Sequence, residues 1–289
     1  MVTKLLSPAE FTTAQDPTLI AEIGSECVFR VGMFVEGRLV GHGSSFVIKG
    51  TKSTKADHTR LWLLTNLHVV RAVMDSYSVF RVALASGESE GRVGSIPTSL
   101  QVEIKDSKYQ VNSVITPKDE FFKYDFTDHL DFAIFSADVP NDACGRYFPF
   151  ADRKQIKVGM PAYVIGFPAD RPLSFAGGNV SHVHSGAESP SPADGTYVSS
   201  LKSVIQHDVE TNGGNSGGPL VSQLGQVIGI HTAGQKYYNG RVTGGLNFAL
   251  NIADVYEFIA DPSNLEEISL SKTVERLRAR ALEDSKYGD

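Results

Sequence analysis

Thr211-Asn212-Gly213-Gly214-Asn215-Ser216-Gly217-Gly218-Pro219-Leu220 sets one serine among four glycines and leads straight into an apolar run. Glycine lets a backbone turn tightly and bring its N–H groups close to a neighbour. A serine nucleophile needs that geometry, because its hydroxyl must reach a carbonyl carbon while nearby N–H groups cradle the oxyanion that forms. An ordinary Gly-rich hairpin loop would use the same residues, so the stretch has to be read together with the rest of the chain.

Two upstream runs supply partners. Leu63-Leu64-Thr65-Asn66-Leu67-His68-Val69-Val70 places a histidine at the end of an apolar strand. A general base needs a pKa near neutrality and a fixed orientation, and histidine supplies both. Asp128-His129-Leu130-Asp131-Phe132-Ala133-Ile134-Phe135 sets a carboxylate directly before a second apolar strand. A carboxylate so placed can hold an imidazole in one tautomer and stabilise its cation. Asp131 adjoins the strand and is the candidate; Asp125 and Asp128 read as turn or capping residues. The order His68, Asp131, Ser216 is one of several in which a Ser-His-Asp constellation occurs.

On these residues the chain resembles the trypsin-like serine proteases, in particular the bacterial branch containing the HtrA proteases and the staphylococcal glutamyl endopeptidase. The matching runs are TNLHVV at 65–70, DFAIF at 131–135 and GNSGGPL at 214–220, supported by GSSFVI at 43–48, VIGFPAD at 164–170 and VIGIHTAG at 227–234. Together they cover roughly residues 26–260. The resemblance implies an all-β fold of two antiparallel six-stranded Greek-key β-barrels with a C-terminal helix, the site lying in the cleft between the barrels. It implies an N-terminal extension at 1–21, a first barrel at 22–140, a second barrel with its closing helix at 141–262, and a helical tail at 263–289. It implies acyl-enzyme chemistry at Ser216 with His68 as base and Asp131 as orienter, and an oxyanion hole from the N–H groups of Gly214 and Ser216 with Asn215 between them.

Specificity is read less directly. Glu210, six residues before the serine, stands where a carboxylate would favour Arg or Lys substrates. A competing pattern is stronger. Thr211 and His231 match residues that, in glutamyl endopeptidases and in the chymotrypsin-like cysteine proteases of picornaviruses, receive a Glu or Gln side chain before the scissile bond. A hydroxyl and an imidazole N–H can both donate to a carboxylate or amide oxygen. Thr232 and Gly234 follow on the same strand and are assigned to the pocket with them. HtrA-like proteins usually carry Asn at the position of His231, so the chain departs from them there, and cleavage after Glu or Gln is expected.

The remaining composition bounds the partners. The chain has 289 residues, 41% hydrophobic, with a net charge of −6. That balance argues against a basic nucleic-acid surface. Cys27 and Cys144 are the only cysteines, too few for a disulfide scaffold. No metal-ligand spacing and no nucleotide loop is present: Gly177-Gly178, Gly213-Gly214 and Gly244-Gly245 read as turns. No cofactor and no metal are therefore expected. The opening Met1–Pro8 does not read as a signal peptide and no run reaches membrane-spanning length, so a cytoplasmic protein without membrane contact is expected. The expected partners are a protein or peptide substrate and a regulatory protein docked through the termini.

Short apolar runs punctuated by Gly, Asn, Asp and Pro predict strands at 27–35, 39–48, 61–64, 77–84, 100–104, 109–115, 132–135, 161–167, 198–206, 219–222, 227–232 and 246–249. Lys49–Thr59 and Glu188–Asp194 read as loops. Ile252–Ala260 reads as a helix stopped by Pro262, and Leu265–Ser285 as a second helix with a charged face.

Overall fold

The computed structural model describes residues 7–9, 11–35, 38–74, 99–104, 107–111, 113–118, 131–185, 203–234, 237–238, 241–242 and 246–269. The predicted strand at 77–84, the loop at 188–194, Asp125, Asp128 and the tail beyond residue 269 lie outside these.

In chain order the first half comprises β1 (Ser7–Pro8), α1 (Pro17–Cys27), β2 (Val28–Val35), β3 (Arg38–Lys52), β4 (His58–Thr65), α2 (Leu67–Met74), β5 (Ser99–Ile104), β6 (Ser107–Gln110), β7 (Ser113–Pro117) and β8 (Ala133–Pro140). The second half comprises β9 (Arg146–Tyr147), β10 (Pro161–Gly166), β11 (Ser174–Ser185), β12 (Ser203–His207), β13 (Pro219–Ser222), β14 (Val227–Gly234), β15 (Tyr237–Tyr238), β16 (Arg241–Val242), β17 (Asn247–Asn251), α3 (Ile252–Ile259) and β18 (Leu265–Ser269).

The fold is all-β, as expected, in two units. The second is a closed antiparallel barrel of six strands in the order β10-β11-β12-β17-β14-β13. Ala162, Val164, Ile205, Leu220, Ile228 and Ala249 fill its interior. Closure leaves no free edge, which rests Ser216, just before β13, on a frame that pairs on both sides. The first unit is a half-barrel, an antiparallel sheet in the order β18-β7-β8-β4-β3-β2-β5-β6. Phe46, Leu61, Leu63, Leu64 and Phe135 are buried at its centre, so Leu63 and Leu64 are covered on both faces of β4 and the LWLL and FAIF runs lack alternation. The closing helix α3 starts at Asn251, whose side chain accepts the Ala253 N–H at 3.0 Å. It packs on the first unit through an edge-to-face contact of Phe258 with Phe132.

The termini stitch the units together and correct one expectation. Leu265–Ser269 is not the start of a helix. It pairs antiparallel with β7, Leu265 opposite Pro117 and Ser269 opposite Ser113, so the segment after the second barrel returns to edge the first sheet. At the other end α1 runs across the expected boundary at residue 22, capped by Asp16, whose side chain accepts the Thr18 N–H at 2.8 Å. Pro17 at its first position fits, since a helix leaves that N–H unpaired anyway. The loop predicted at 49–59 shrinks to five residues, because β3 continues to Lys52 and β4 begins at His58.

Candidate active site

His68 does not end the strand. β4 stops at Thr65, Asn66 makes the bend, and His68 is the second residue of α2. Asp131 reaches it from the segment before β8. The Asp131 carboxylate accepts twice from His68: Oδ2 lies 2.7 Å from the ring Nδ1 and Oδ1 accepts the backbone N–H at 2.9 Å. Two bonds from one carboxylate fix the ring and leave Nε2 for other work. Burial alone would lower the His68 pKa, but the charge of Asp131 and its hydrogen bond outweigh that and hold it above the ordinary 6.5. The His68 side chain stays 44% exposed while Asp131 is 14% exposed, so the imidazole can be reached and its orienter is shielded.

Ser216 is brought to the same place by close backbone contact. A side chain on Gly217, whose φ is +85°, would collide with the Thr65 hydroxyl and the Ser44 carbonyl. The Ser44 N–H donates to the Ser216 carbonyl at 2.8 Å. A Cβ on Gly43 would lie 2.6 Å from Val69 and 3.0 Å from the Ser216 carbonyl. The serine loop therefore presses on the β3 and β4 backbones beside α2, and glycine is required at those contacts. The Ser216 hydroxyl donates to the Thr232 carbonyl at 3.3 Å, and among the described residues no hydrogen bond joins it to His68.

The loop amides fall into two groups. The N–H groups of Asn215, Gly217 and Gly218 donate to the carbonyls of Asn212, His231 and Asn215. Those of Gly214 and Ser216 have no acceptor among the described residues. Gly214 has a φ of +98°, where a Cβ would collide with the Phe167 carbonyl.

Among the residues expected to form the pocket, Thr211 donates its hydroxyl to Asn247 Oδ1 at 2.8 Å, and Asn247 in turn donates to the Val209 carbonyl. Asn247 Oδ1 also lies against Gly234, so Thr211, Gly234 and Asn247 form one cluster. His231 is buried on β14 with Nδ1 3.3 Å from Nε2 of His207 on β12. Burial drives His231 well below the ordinary pKa, and the neighbouring His207 and His68 charges add to that. Burial likewise pushes His207 down to about 4, against a small opposing effect of Asp208. Both rings are neutral at pH 7. Glu210 is exposed.

Sequence reasoning missed three participants. Asn66 donates from one Nδ2 to the Asp131 carbonyl at 2.8 Å and to the Thr232 hydroxyl at 2.6 Å, tying the Asp131 side of the cleft to the strand that receives the Ser216 hydroxyl. His207 and Asn247 support His231 and Thr211. None lies in a pattern with a periodicity or spacing signal; the TNLHVV run that contains Asn66 drew attention only to the histidine two residues on.

A family model for the trypsin-like peptidase domain matches residues 43–230. The chain belongs to that family. This trypsin-like peptidase domain is 26% identical over 238 residues to the chloroplastic Protease Do-like 1 of Arabidopsis thaliana, a match covering 77% of the chain and 52% of that protein. It is 28% identical over 210 residues to Serine protease HTR4 of Bos taurus, covering 71% of the chain and 38% of the relative. The chain thus spans about half or less of the length of these relatives. Among solved structures it resembles the HtrA-type protease AlgW with tripeptide, with a TM-score of 0.55, 18% identity, and 86% of this chain and 64% of that one covered. It also resembles the inactive form of the Rv3671c protease, with a TM-score of 0.53, 18% identity, and 88% and 97% covered. At that identity the structural likeness bears on the fold. Among the described residues no helix is long and apolar enough to cross a membrane.

Proposed function

We propose that the chain is a serine endopeptidase working through His68, Asp131 and Ser216. His68 Nε2 takes the Ser216 proton as Oγ attacks a peptide carbonyl, and the tetrahedral oxyanion settles on the N–H groups of Gly214 and Ser216. The imidazolium returns its proton to the departing amine, leaving an acyl-enzyme that water cleaves by the same steps. The observation that carries this reading is the doubly bonded His68–Asp131 pair facing a serine loop with two amides left without acceptors. Ser216 must turn about its Cα–Cβ bond, away from the Thr232 carbonyl, to reach His68. Apo sites commonly show such bonds long or misaligned.

Cleavage after Glu or Gln is part of the proposal. Nδ1 of His207 is buried without a partner, and an unpaired ring acceptor is easier to tolerate there than an unpaired N–H. The favoured tautomer therefore puts the His207 proton on Nε2, donating to His231 Nδ1. His231 then carries its own proton on Nε2, ready for a substrate side-chain oxygen. Thr211 would supply the second donor by releasing Asn247. The exposure of Glu210 speaks against its lying at a pocket floor. Profiling cleavage of a peptide library by the wild type beside Ser216→Ala tests this. Expected is Ser216-dependent cutting after Glu or Gln; a clear Arg or Lys preference would overturn the pocket assignment.

A further inference from the structure

The peptide linking Gly213 to Gly214 is gripped from outside the serine loop. Its carbonyl, on Gly213, accepts the Ala169 N–H at 2.7 Å. The described backbone contains no cis peptide, so the Gly214 N–H on the same unit points the opposite way. The next carbonyl, on Gly214, accepts the Ser44 hydroxyl at 2.8 Å, and Ser44 Oγ in turn accepts the Phe167 N–H at 3.0 Å. Ser44 is fully buried, so water cannot substitute for the hydroxyl. Ala169 sits at φ 48°, ψ 45°, a left-handed conformation that an alanine adopts only where its surroundings impose it. Successive carbonyls of the loop are thus tied to two different elements, β3 and the turn after β10.

We infer that Ser44, with the Phe167–Ala169 turn, is a positioning residue that sets the Gly213–Gly214 peptide so that the Gly214 N–H faces the oxyanion. This rests on the catalytic reading above. Were the peptide to turn over, the Gly213 carbonyl would meet the developing negative charge in place of a donor, replacing attraction with repulsion. The Ser44 backbone is anchored without its hydroxyl: its N–H donates to the Ser216 carbonyl and its carbonyl accepts the Thr65 hydroxyl at 2.7 Å. Removing the hydroxyl therefore frees the Gly214 carbonyl, the tie on the C-terminal side of the Gly213–Gly214 peptide, and leaves the β3 contact in place.

The test compares wild type, Ser44→Ala and Ser44→Cys, a near-isosteric change to a weak hydrogen-bonding group. The readouts are kcat, KM, the affinity of a peptide aldehyde whose adduct places an oxyanion in the hole, and that of a non-covalent cleavage-product peptide. For Ser44→Ala, kcat and aldehyde affinity should both fall about ten- to a hundredfold, less than the 10²–10³ loss of a whole oxyanion donor. KM and product affinity should stay within about twofold of wild type. Ser44→Cys should fall between, and it decides the matter alone if the alanine variant does not fold. Wild-type kcat and aldehyde affinity in either variant would overturn the inference. So would parallel losses of product affinity and melting temperature, the mark of a purely structural role. A wild type without Ser216-dependent hydrolysis would instead overturn the catalytic reading itself, whatever Ser44 does.

Discussion

At the site, His68 with Asp131 and His231 with His207 stand in opposite electrostatic settings. In the first unit His68 leans on a carboxylate, is nearly half exposed, and has its affinity for protons raised. In the second, His231 leans on another imidazole, is buried, and has that affinity strongly suppressed. The difference matches two kinds of work. A general base must gain a proton during reaction, so an adjacent anion that stabilises the cation helps it. A recognition donor must keep one fixed N–H and stay uncharged, so burial beside a second neutral ring suits it. The partner, and not the histidine, decides which role is available.

Breaking the first pair should have the larger effect. Asp131→Asn removes the anion and reverses the hydrogen-bond preference at Nδ1, and should lower kcat by about 10⁴-fold, the scale seen when this kind of orienter is neutralised. In the wild type, kcat/KM should fall as pH drops through a pKa above the ordinary 6.5 of histidine, because only neutral His68 accepts the serine proton. Residual activity of the variant should no longer show that raised acid limb. A pH–rate profile on both proteins checks it, and an unchanged limb would separate Asp131 from the His68 titration.

Disturbing the second pair should be milder and should appear in stability. His207 has a folded-state pKa near 4 against 6.5 when free, so below pH 6.5 the unfolded chain takes up a proton that the folded one refuses. Stability is therefore full above pH 6.5 and declines as pH falls toward 4. At pH 5 this group accounts for about 2 kcal/mol of that decline. His207→Gln, which cannot titrate, should lose correspondingly less between pH 7 and pH 5 in denaturant unfolding. An equal drop in both proteins would show that His207 is not the group responsible.

The legible parts of this chain were those in which local pattern and global fold agree. β13 reads directly as Pro219–Ser222, and most other described strands fall within a few residues of their apolar runs. β11 was invisible because Gly177-Gly178 reads as a turn. In the barrel those glycines are needed for close approach: a Cβ on Gly177 would touch the Tyr163 ring at 3.3 Å, and one on Gly178 would crowd the Val209 backbone. α2 was hidden by Val69 and Val70, whose branched side chains suit strands better than helices. Leu265–Ser269 has helix-forming glutamates, but the free edge of β7 claims its backbone. At the site, His68, Asp131 and Ser216 stand in runs with a chemical signature. Ser44, Asn66, His207 and Asn247 act through tertiary hydrogen bonds to residues far off in sequence, which no local pattern encodes.

The proposed function requires Ser216 to be a nucleophile activated by the His68–Asp131 pair. Intact-mass analysis after reaction with a fluorophosphonate measures this directly, with wild type and Ser216→Ala side by side and the adduct located by peptide mapping. Expected is one adduct per wild-type chain, on Ser216, and none on the variant. Equal labelling of both proteins, or a folded wild type that stays unlabelled, would contradict it and favour a peptide-binding homologue without catalysis.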